Sequence, residues 1–585
     1  TGGHLASNLG AVEITMALHI CLRFPEDKVV YDVGHQSYVH KILTGRKDAF
    51  SSLRQKDGLC GFPKRNESDC DAFGTGHSST SISAALGMAV ARDLEQKKET
   101  IVAVIGDGAL SGGMAYEALN NLSILRKEKK NMIIILNDNK MSISENVGGM
   151  SRYLNDLRSR KSYSEFKENV ENALNNIPGV GKSVARTLKK SKDSIKQLFI
   201  PGMLFENMGI TYYGLVDGHD IYELIHAINR AKQHEGPVLI HAITKKGMGY
   251  SNAERNPEKF HGIGPFDPET GEVLGEKTKK TYTEVFADSL IELARDDKKI
   301  VAITAAMPSG TGLNTFKKNY PKRFFDVGIA EEHAVTFAAG LAAQGMHPVF
   351  AVYSSFLQRG YDQVLHDVCI QKLPVFFCID RSGLVGADGE THQGIFDISY
   401  LSHIPNLVLM APKNEKEMPE MMKFALKYDG PTAMKYPRGS VYDGLKEYNA
   451  PVELGKSEVI YEGQDIVILS VGNVMEECEK AVQILREKGY VPGLVNVRFI
   501  RPMDEDLLRE LAKKYSLIVT VEENQLIGGY GQMVSAFLHR NGCENRLLSL
   551  GIADYFVRHA SVAEQRKEAG IDADSIVNSI IDRMN

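Results

Sequence analysis

Short runs of apolar, mostly β-branched residues alternate along this chain with longer stretches in which apolar residues recur with a helical period. The short runs predict buried strands, and the amphipathic stretches predict helices that cover them. We predict strands at 101–105, 132–136, 237–244, 300–304, 348–353, 374–380, 465–471, 493–497 and 517–522. We predict helices at 114–125, 330–343 and 475–488. This alternation is typical of α/β domains with mainly parallel sheets.

The predicted elements fall into three successive groups, which indicates three consecutive α/β domains. We place them at 1–275, 276–445 and 446–585. Residues 159–196 differ from the rest, because they are rich in Lys, Glu, Asn and Ser and keep a helical period. We interpret that stretch as a solvated helical insertion in the first domain.

Two motifs inside the insertion could indicate other functions. Gly181-Lys182-Ser183 imitates a phosphate-binding P-loop, but Asn176 stands where the motif needs its first glycine and no predicted strand precedes it. Residues 177–188 resemble a helix-hairpin-helix, whose glycine turn can contact DNA phosphates. A plain turn between two surface helices explains the same residues, and a DNA-binding protein would show steep salt dependence of its affinity.

Composition and charge narrow the class of protein. Of 585 residues 43% are hydrophobic, which excludes a largely disordered chain. The 69 basic and 74 acidic residues give a net charge of −5, so no general basic field attracts nucleic acid or anionic lipid. The seven cysteines contain no CxxC pair, which argues against structural zinc and a disulfide framework and fits a reducing compartment.

We expect a bacterial-type cytoplasmic protein with no membrane or nucleic-acid partner. The longest apolar stretch, 334–357, is interrupted by polar residues and a proline, which suits a buried helix, a turn and a strand. No signal peptide is visible, but the chain begins with Thr1 rather than Met. We therefore expect that an upstream segment has been lost, and the missing targeting sequence is weak evidence about location.

The strongest chemical signal is a pair of polar segments, each directly after a predicted strand. Gly106-Asp107-Gly108-Ala109 follows the strand at 101–105, and Asn137-Asp138-Asn139 follows the strand at 132–136. Open α/β sheets bind ligands at this end of their strands. Carboxylate and amide oxygens suit Mg²⁺, and Gly108 allows the backbone to approach a diphosphate. Each segment on its own is equally typical of an ordinary turn or a polar loop.

This ordered pair resembles the motif of thiamine-diphosphate enzymes, which also need a glutamate from a second domain. Glu331 opens the helix predicted at 330–343 and can hydrogen-bond a ring nitrogen of the cofactor. A structural alternative is that its charge only stabilises the helix N-terminus.

Further segments are similar to those of the 1-deoxy-D-xylulose-5-phosphate synthase family, which has a transketolase-like fold. They include Gly-Gly-His-Leu-Ala-Ser-Asn-Leu-Gly at 2–10, Gly-Ala-Asp-Gly-Glu-Thr-His-Gln-Gly at 386–394 and Tyr-Pro-Arg-Gly at 436–439, with others at 32–36, 74–81, 353–367 and 379–381. The resemblance covers nearly the whole chain in order. Transketolases share the cofactor motifs and several histidines, but not the segments at 386–394 and 436–439 together.

The resemblance implies a role for each matching residue. It implies Mg²⁺ ligation by Asp107, Asn139 and the carbonyl of Met141. It implies thiamine-diphosphate contacts from His35, Gly76, His77, Ser78, Gly108, Ala109, Asn139, Tyr250 and Glu331. It implies catalytic roles for Glu331, His4, His35, His261 and His392. It implies a phosphate clamp of Arg381 and Arg438, with Tyr353, Asp388 and His392 in the same substrate site.

The implied reaction condenses pyruvate with D-glyceraldehyde 3-phosphate to 1-deoxy-D-xylulose 5-phosphate and CO₂, the first step of non-mevalonate isoprenoid synthesis. The residue types agree, because arginine binds phosphate bidentately and histidine titrates near neutrality. The resemblance also implies a homodimer. The alternatives are a transketolase with a ketose-phosphate donor and an inactive relative, and the presence of Glu331, Arg381, His392 and Arg438 argues against the latter.

Overall fold

A computed structural model describes residues 2–128, 130–141, 146–159, 203–275 and 279–585. The chain divides into two compact units, one of Thr1–Ser51 with Gly61–Leu274 and the other of Ser52–Cys60 with Gly275–Asn585. The P-loop-like and helix-hairpin-helix-like motifs of the predicted insertion lie outside the described residues, and both hypotheses stay untested. Within the described ranges, no helix has both the length and the apolar character needed to cross a membrane.

The first unit contains a five-stranded sheet in which every neighbouring pair is parallel, in the order β1-β2-β3-β5-β4. Its strands are β1 Lys28–Tyr31, β2 Ile101–Gly106, β3 Met132–Asp138, β4 Thr211–Asp217 and β5 Pro237–Ile243. The central strands are apolar and buried on both faces, as parallel strands between helices require. In the register, Gly106 pairs with Asn137, which brings the two predicted polar segments to one sheet edge.

Helices cover this sheet on both faces. The helices of the first unit span Leu5–Leu9, Val12–Cys21, Tyr38–Lys41, Ser81–Leu94, Gly113–Asn121, Ser123–Lys127, Gly148–Ser159, Met203–Asn207, Ile221–Lys232 and Ser251–Arg255. The first and last of these pack together in a small separate core with Phe260 and Ile263. The helix predicted at 114–125 is therefore two helices that meet at Leu122. Asp220 caps Ile221–Lys232, because its carboxylate accepts from the backbone N–H groups of Tyr222 and Glu223.

The second unit contains two sheets, and the larger has seven strands in the order β15-β10-β11-β9-β8-β6-β7. Its strands are β6 Ile300–Thr304, β7 Phe324–Asp326, β8 His347–Tyr353, β9 Phe376–Asp380, β10 Val408–Met410, β11 Thr432–Lys435 and β15 Phe499–Arg501. All neighbours are parallel except β15, which pairs antiparallel with β10 at the edge. The chain of the third predicted domain thus completes the sheet of the second.

The other sheet has five strands in the order β12-β14-β13-β16-β17. They are β12 Glu458–Tyr461, β13 Ile466–Ser470, β14 Gly493–Asn496, β16 Leu517–Gln525 and β17 Arg546–Ile552. Only β12 runs antiparallel to its neighbour. Three mainly parallel sheets confirm the predicted α/β fold class.

The helices of the second unit pack against these two sheets. They span Tyr282–Asp296, Leu313–Asn319, Glu331–Ala343, Ser354–Leu357, Tyr361–Gln363, Asp397–Leu401, Glu417–Lys427, Met475–Glu487, Glu505–Lys514, Tyr530–Arg540, Val562–Glu568 and Ala573–Met584. Thr281 and Glu284 form a reciprocal capping box at the start of Tyr282–Asp296. Phe286 of that helix is fully buried in the core between helices and sheet.

Candidate active site

The loops at the carboxyl edge of the first sheet are joined by Asp32, which follows β1. Its two carboxylate oxygens accept from the backbone N–H of Ser79 at 2.7 Å and of Ser81 at 3.0 Å. A Cβ on Gly34 would lie 2.3 Å from the hydroxyl oxygen of Thr75, so only glycine allows these turns to approach. The predicted segments at 32–36 and 74–81, the latter carrying Gly76, His77 and Ser78, therefore lie together.

Asp107 directly follows β2 and is 4% exposed. Its Oδ1 accepts from the N–H of Gly108 at 3.0 Å, whereas Oδ2 is buried and has no hydrogen-bond partner among the described residues. Burial, together with the neighbouring carboxylate of Asp138, raises the pKa of Asp107 well above its ordinary value. A cation beside Oδ2 would favour the charged form and satisfy this oxygen.

Asp138 is committed to protein partners. Its Oδ2 accepts from His241 Nε2 at 2.8 Å, and its Oδ1 accepts from the guanidinium of Arg158. Although burial opposes the effect, the hydrogen bond from His241 holds the pKa of Asp138 below its ordinary value. Asp138 is therefore an internal counter-ion, and Asp107 is the carboxylate with an oxygen to offer.

The other predicted metal ligands lie in the turn after β3. Asn139 Oδ1 accepts from the backbone N–H of Met141 at 3.1 Å, which holds this turn closed. Ala109, after Gly108, accepts from the Ser79 hydroxyl at 2.8 Å through its carbonyl. In the parts of the chain that the structure describes, no three His, Cys, Asp or Glu side chains are grouped to hold a metal. One carboxylate, one amide and one carbonyl, completed by diphosphate oxygens, is a donor set that fits Mg²⁺.

Three of the predicted histidines form a cluster in the first unit. The ring centroids of His4 and His35 are 6.0 Å apart, those of His35 and His261 are 5.5 Å apart, and those of His4 and His261 are 6.0 Å apart. Tyr38 contributes its hydroxyl, 3.4 Å from His4 Nδ1. Burial, followed by the charges of His4 and Lys246, lowers the pKa of His35, so its imidazole is neutral at physiological pH. The cluster can therefore accept and return protons.

Lys246 joins this cluster, and the sequence analysis did not identify it. The side chain is 4% exposed, and its Nζ lies 3.1 Å from His261 Nδ1. Burial lowers its pKa to about 8. Its only sequence signal is Lys245-Lys246-Gly247, which Thr244 separates from the end of β5 at the same sheet edge as Asp107.

Tyr250 lies in an aromatic group next to these residues. Its hydroxyl donates to the carbonyl of Pro268 at 2.8 Å, and its ring packs on Phe260 and Phe266. His261 directly follows Phe260 in the chain, so the aromatic group supports the His261 backbone. The structure thus gives Tyr250 a packing role beside the histidine cluster.

In the second unit, Glu331 is the first residue of the helix Glu331–Ala343 and is 3% exposed. Its Oε2 is buried, and no described residue provides a hydrogen bond to it. Burial raises the pKa of Glu331 to about 7. A buried carboxyl oxygen with this pKa can exchange a proton with a nitrogen base near neutral pH.

Tyr353 and Arg381 are stacked at the ends of β8 and β9. The guanidinium carbon of Arg381 lies 3.9 Å from the ring centroid of Tyr353. A Cβ on Gly310 would lie 2.0 Å from the Tyr353 hydroxyl, so this glycine leaves room for the ring. Phe356 packs 5.5 Å from Tyr353 and 5.5 Å from His392, which links the predicted His392 to the same cluster.

Asp388 lies between two arginines of the second unit. Its Oδ1 accepts from Arg54 at 2.5 Å, and its Oδ2 lies 3.4 Å from Arg438 Nη1. Arg54 was missed by the sequence analysis, because it is 334 residues from Asp388 along the chain and belongs to no recognised motif. The structure therefore joins Tyr353, Asp388, His392 and both predicted arginines in one cluster, and the cationic groups suit a phosphate.

Comparisons with known proteins give matches along most of the chain. The family model described as 1-deoxy-D-xylulose-5-phosphate synthase matches residues 1–244, the transketolase pyrimidine binding domain matches 278–443, and the transketolase C-terminal domain matches 455–576. A 1-deoxy-D-xylulose-5-phosphate synthase of Lachnoclostridium phytofermentans is 56% identical over 99% of this chain and 92% of its own. Those of Alkaliphilus oremlandii and Caldanaerobacter subterraneus are each 54% identical, over 99% and 100% of this chain and 93% of their own.

Proposed function

This chain belongs to the 1-deoxy-D-xylulose-5-phosphate synthase family, and we propose that the two clusters described above divide the family's reaction between them. The reaction is the thiamine-diphosphate-dependent condensation of pyruvate with D-glyceraldehyde 3-phosphate, which gives 1-deoxy-D-xylulose 5-phosphate and CO₂ and starts non-mevalonate isoprenoid synthesis. The observation that supports this division is that Asp107 and Glu331 each bury one carboxyl oxygen without a described hydrogen-bond partner.

In the first unit, Asp107, Asn139 and the Met141 carbonyl would hold Mg²⁺ on the diphosphate. Gly108, Ala109 and the turn of Gly76, His77 and Ser78 would contact the diphosphate group through backbone and hydroxyl atoms. His35 and Tyr250 complete the proposed cofactor contacts. Thiamine diphosphate, when bound, supplies the carbanion chemistry that protein side chains lack.

The chain's own residues then move protons and bind the acceptor. Glu331 would hold and release a proton at Oε2, for which its pKa of about 7 is suited. His4, His35, His261 and His392 would supply and accept protons at the substrate oxygens. Arg381 and Arg438 would bind the acceptor phosphate, while Asp388 keeps Arg54 and Arg438 in place through its two oxygens.

We propose that domain 1–275 binds the diphosphate and that domain 276–445 binds the aminopyrimidine ring. Domain 446–585 would support the seven-stranded sheet of the second unit, which is called the second sheet below. We also propose a homodimer, as the family resemblance implies. Light scattering at micromolar concentration tests this, and a monomer under assay conditions would contradict it.

The reaction itself is tested by ¹³C NMR with labelled pyruvate, D-glyceraldehyde 3-phosphate, thiamine diphosphate and Mg²⁺. We expect labelled 1-deoxy-D-xylulose 5-phosphate and CO₂, both absent when either cofactor is left out. Product from a ketose-phosphate donor without CO₂ release would instead indicate a transketolase.

A further inference from the structure

A fully buried carboxylate, Asp397, bridges the ends of three adjacent strands in the second sheet. Its Oδ2 accepts from the hydroxyls of Ser354 at 2.8 Å and Ser382 at 2.5 Å. Its Oδ1 accepts from Lys435 Nζ at 2.6 Å. Asp397 and Ser354 are 0% exposed, Ser382 is 1% exposed and Lys435 is 5% exposed. Because these groups are shielded from solvent, each hydrogen bond is electrostatically strong and its geometry is strongly held.

Each of these three partners adjoins a strand end. Ser354 follows β8, Ser382 comes two residues after β9, and Lys435 is the last residue of β11. The three strands are neighbours in the order β11-β9-β8, and Tyr353 pairs with Asp380 in the register. One carboxylate therefore fixes the spacing of three chain segments just where they leave the sheet.

The same segments carry the proposed acceptor site. Tyr353 precedes Ser354, and Arg381 precedes Ser382. The stacking of Arg381 on Tyr353 requires the backbones of both residues to be held in place. The backbone of Arg381 has a φ of +56°, a conformation that residues other than glycine rarely adopt, so it needs support from its surroundings. A backbone hydrogen bond also holds the segment that carries Arg381: the Ser382 N–H donates to the Tyr436 carbonyl at 3.0 Å.

We propose that Asp397 is a positioning residue that aligns Arg381 and Tyr353 for the phosphate of the acceptor. It acts through Ser354 and Ser382 and does not touch substrate. This inference rests on the proposed function, since it assumes that Arg381 and Tyr353 bind the acceptor. It predicts a specific effect on recognition of phosphorylated acceptors and none on pyruvate.

The experiment compares D-glyceraldehyde 3-phosphate with unphosphorylated D-glyceraldehyde in the holoenzyme with thiamine diphosphate and Mg²⁺. For Asp397→Asn we expect kcat/KM to fall about tenfold or more for the phosphorylated acceptor and less than about twofold for D-glyceraldehyde. The KM for pyruvate should stay unchanged. Equal losses for both acceptors, or no loss, would overturn the positioning role.

Four further variants separate the explanations. Glu417→Gln alters a carboxylate of the same unit that is similarly buried and paired with Lys413 and Arg498, and it should leave the preference for the phosphorylated acceptor unchanged. Asp397→Asn with Lys435→Met removes the unpaired lysine charge. We expect the preference to stay low, whereas its recovery would show that Asp397 only neutralises Lys435.

Ser382→Ala removes a single hydroxyl and provides the test if Asp397→Asn does not fold. We expect the same selective loss, several-fold in size, and a wild-type preference in this variant would overturn the proposal. Arg438→Ala is measured in parallel. If it also keeps the wild-type preference, the phosphate site itself is wrong; if it loses the preference and Asp397→Asn does not, only the positioning role is wrong.

Discussion

The carboxyl edges of the first and second sheets share an architecture but differ in the charged groups that they offer to a ligand. In the first sheet, acids follow or end the strands: Asp32 follows β1, Asp107 follows β2 and Asp138 ends β3. In the second sheet, Arg381 follows β9 and Arg438 lies three residues after β11. A parallel sheet provides the same positions in both cases, and the residue just beyond each strand decides the ligand. The first edge suits a cation, and the second suits a phosphate.

The two edges also differ in how many charges are already paired. At the first edge, Asp32 accepts hydrogen bonds from backbone N–H groups, and Asp138 is paired with His241 and Arg158. Among the described acids of this edge, Asp107 Oδ2 is therefore the carboxylate oxygen available to a ligand. In the second, Asp388 pairs with two arginines at once, and Arg438 remains 43% exposed. A single unsatisfied oxygen gives a site for one cation. In the second edge, Arg54, Arg381 and Arg438 outnumber the neighbouring acids Asp380 and Asp388, which leaves positive charge for a phosphate.

Loss of Glu331 tests the proton-transfer step and should have the largest effect. We expect Glu331→Ala to lower kcat by about 10²- to 10⁴-fold, the usual contribution of general acid–base catalysis, while cofactor affinity is largely kept. Steady-state turnover and calorimetric binding measure the two quantities. Glu332→Gln, at the adjacent position, is the matched control, and near-normal turnover of Glu331→Ala would refute the assigned role.

Removal of the carboxylate at the first edge should have the next largest effect. We expect Asp107→Asn to weaken binding of thiamine diphosphate about 100-fold in Mg²⁺, because a buried charge contact is lost. In EDTA the variant and the wild type should bind alike. Calorimetric titrations in both buffers measure this, with Asp48→Asn at an exposed position as control. A variant with undiminished Mg²⁺ dependence would show that Asp107 is not a ligand.

Truncation at the second edge should have a smaller and more selective effect. We expect Arg438→Ala to raise the KM for D-glyceraldehyde 3-phosphate about tenfold. This is the lower end of the range for losing a hydrogen bond to a charged group, because the Arg438 side chain is partly exposed to solvent. The KM for pyruvate should change little. Arg509→Ala, an exposed arginine paired with Glu505, serves as the control. Equal increases in both KM values would contradict a phosphate clamp.

The smallest effect should come from pH. The pKa of Glu331 is raised from 4.5 to about 7, so the folded protein binds this proton more tightly than the unfolded chain. Its stabilising contribution is complete below pH about 4.5 and is lost as the pH rises through about 7. Without cofactor, we expect the melting temperature of the wild type to fall by a few degrees relative to Glu331→Gln between pH 5 and 8. If the melting temperatures of the two proteins change equally with pH, the pKa of Glu331 is not raised.

The sequence pattern predicted the first edge well for a physical reason. Adjacent parallel strands end at the same side of a sheet, so the residues after β2 and β3 had to meet, and the register of Gly106 with Asn137 confirms it. The metal and cofactor roles of Asp107 and Asn139 stay predictions. The strand β15 was not predicted, because three residues at a sheet edge give too short a periodicity signal.

The sequence pattern did not reveal residues whose contacts lie far away along the chain. Arg54 lies in the short segment Ser52–Cys60, which is surrounded in sequence by the first unit but packs with the second. Asp397 is a single acid between Phe396 and Ile398, and nothing local shows that it would be buried among two serines and a lysine. Such residues become visible only when the sheet order is known.

The antiparallel strand β15 makes the second and third predicted domains depend on each other. It covers β10, whose backbone N–H and C=O groups would otherwise be open to pairing with another chain. A gene fragment that encodes the first two predicted domains and ends before residue 499 would produce a sheet with a bare edge, prone to aggregation. A crossover near 445 would place β15 of one relative against β10 of another, and a crossover after 501 would divide the five-stranded sheet between β13 and β16, so recombination at either point has to preserve a strand pairing across the junction.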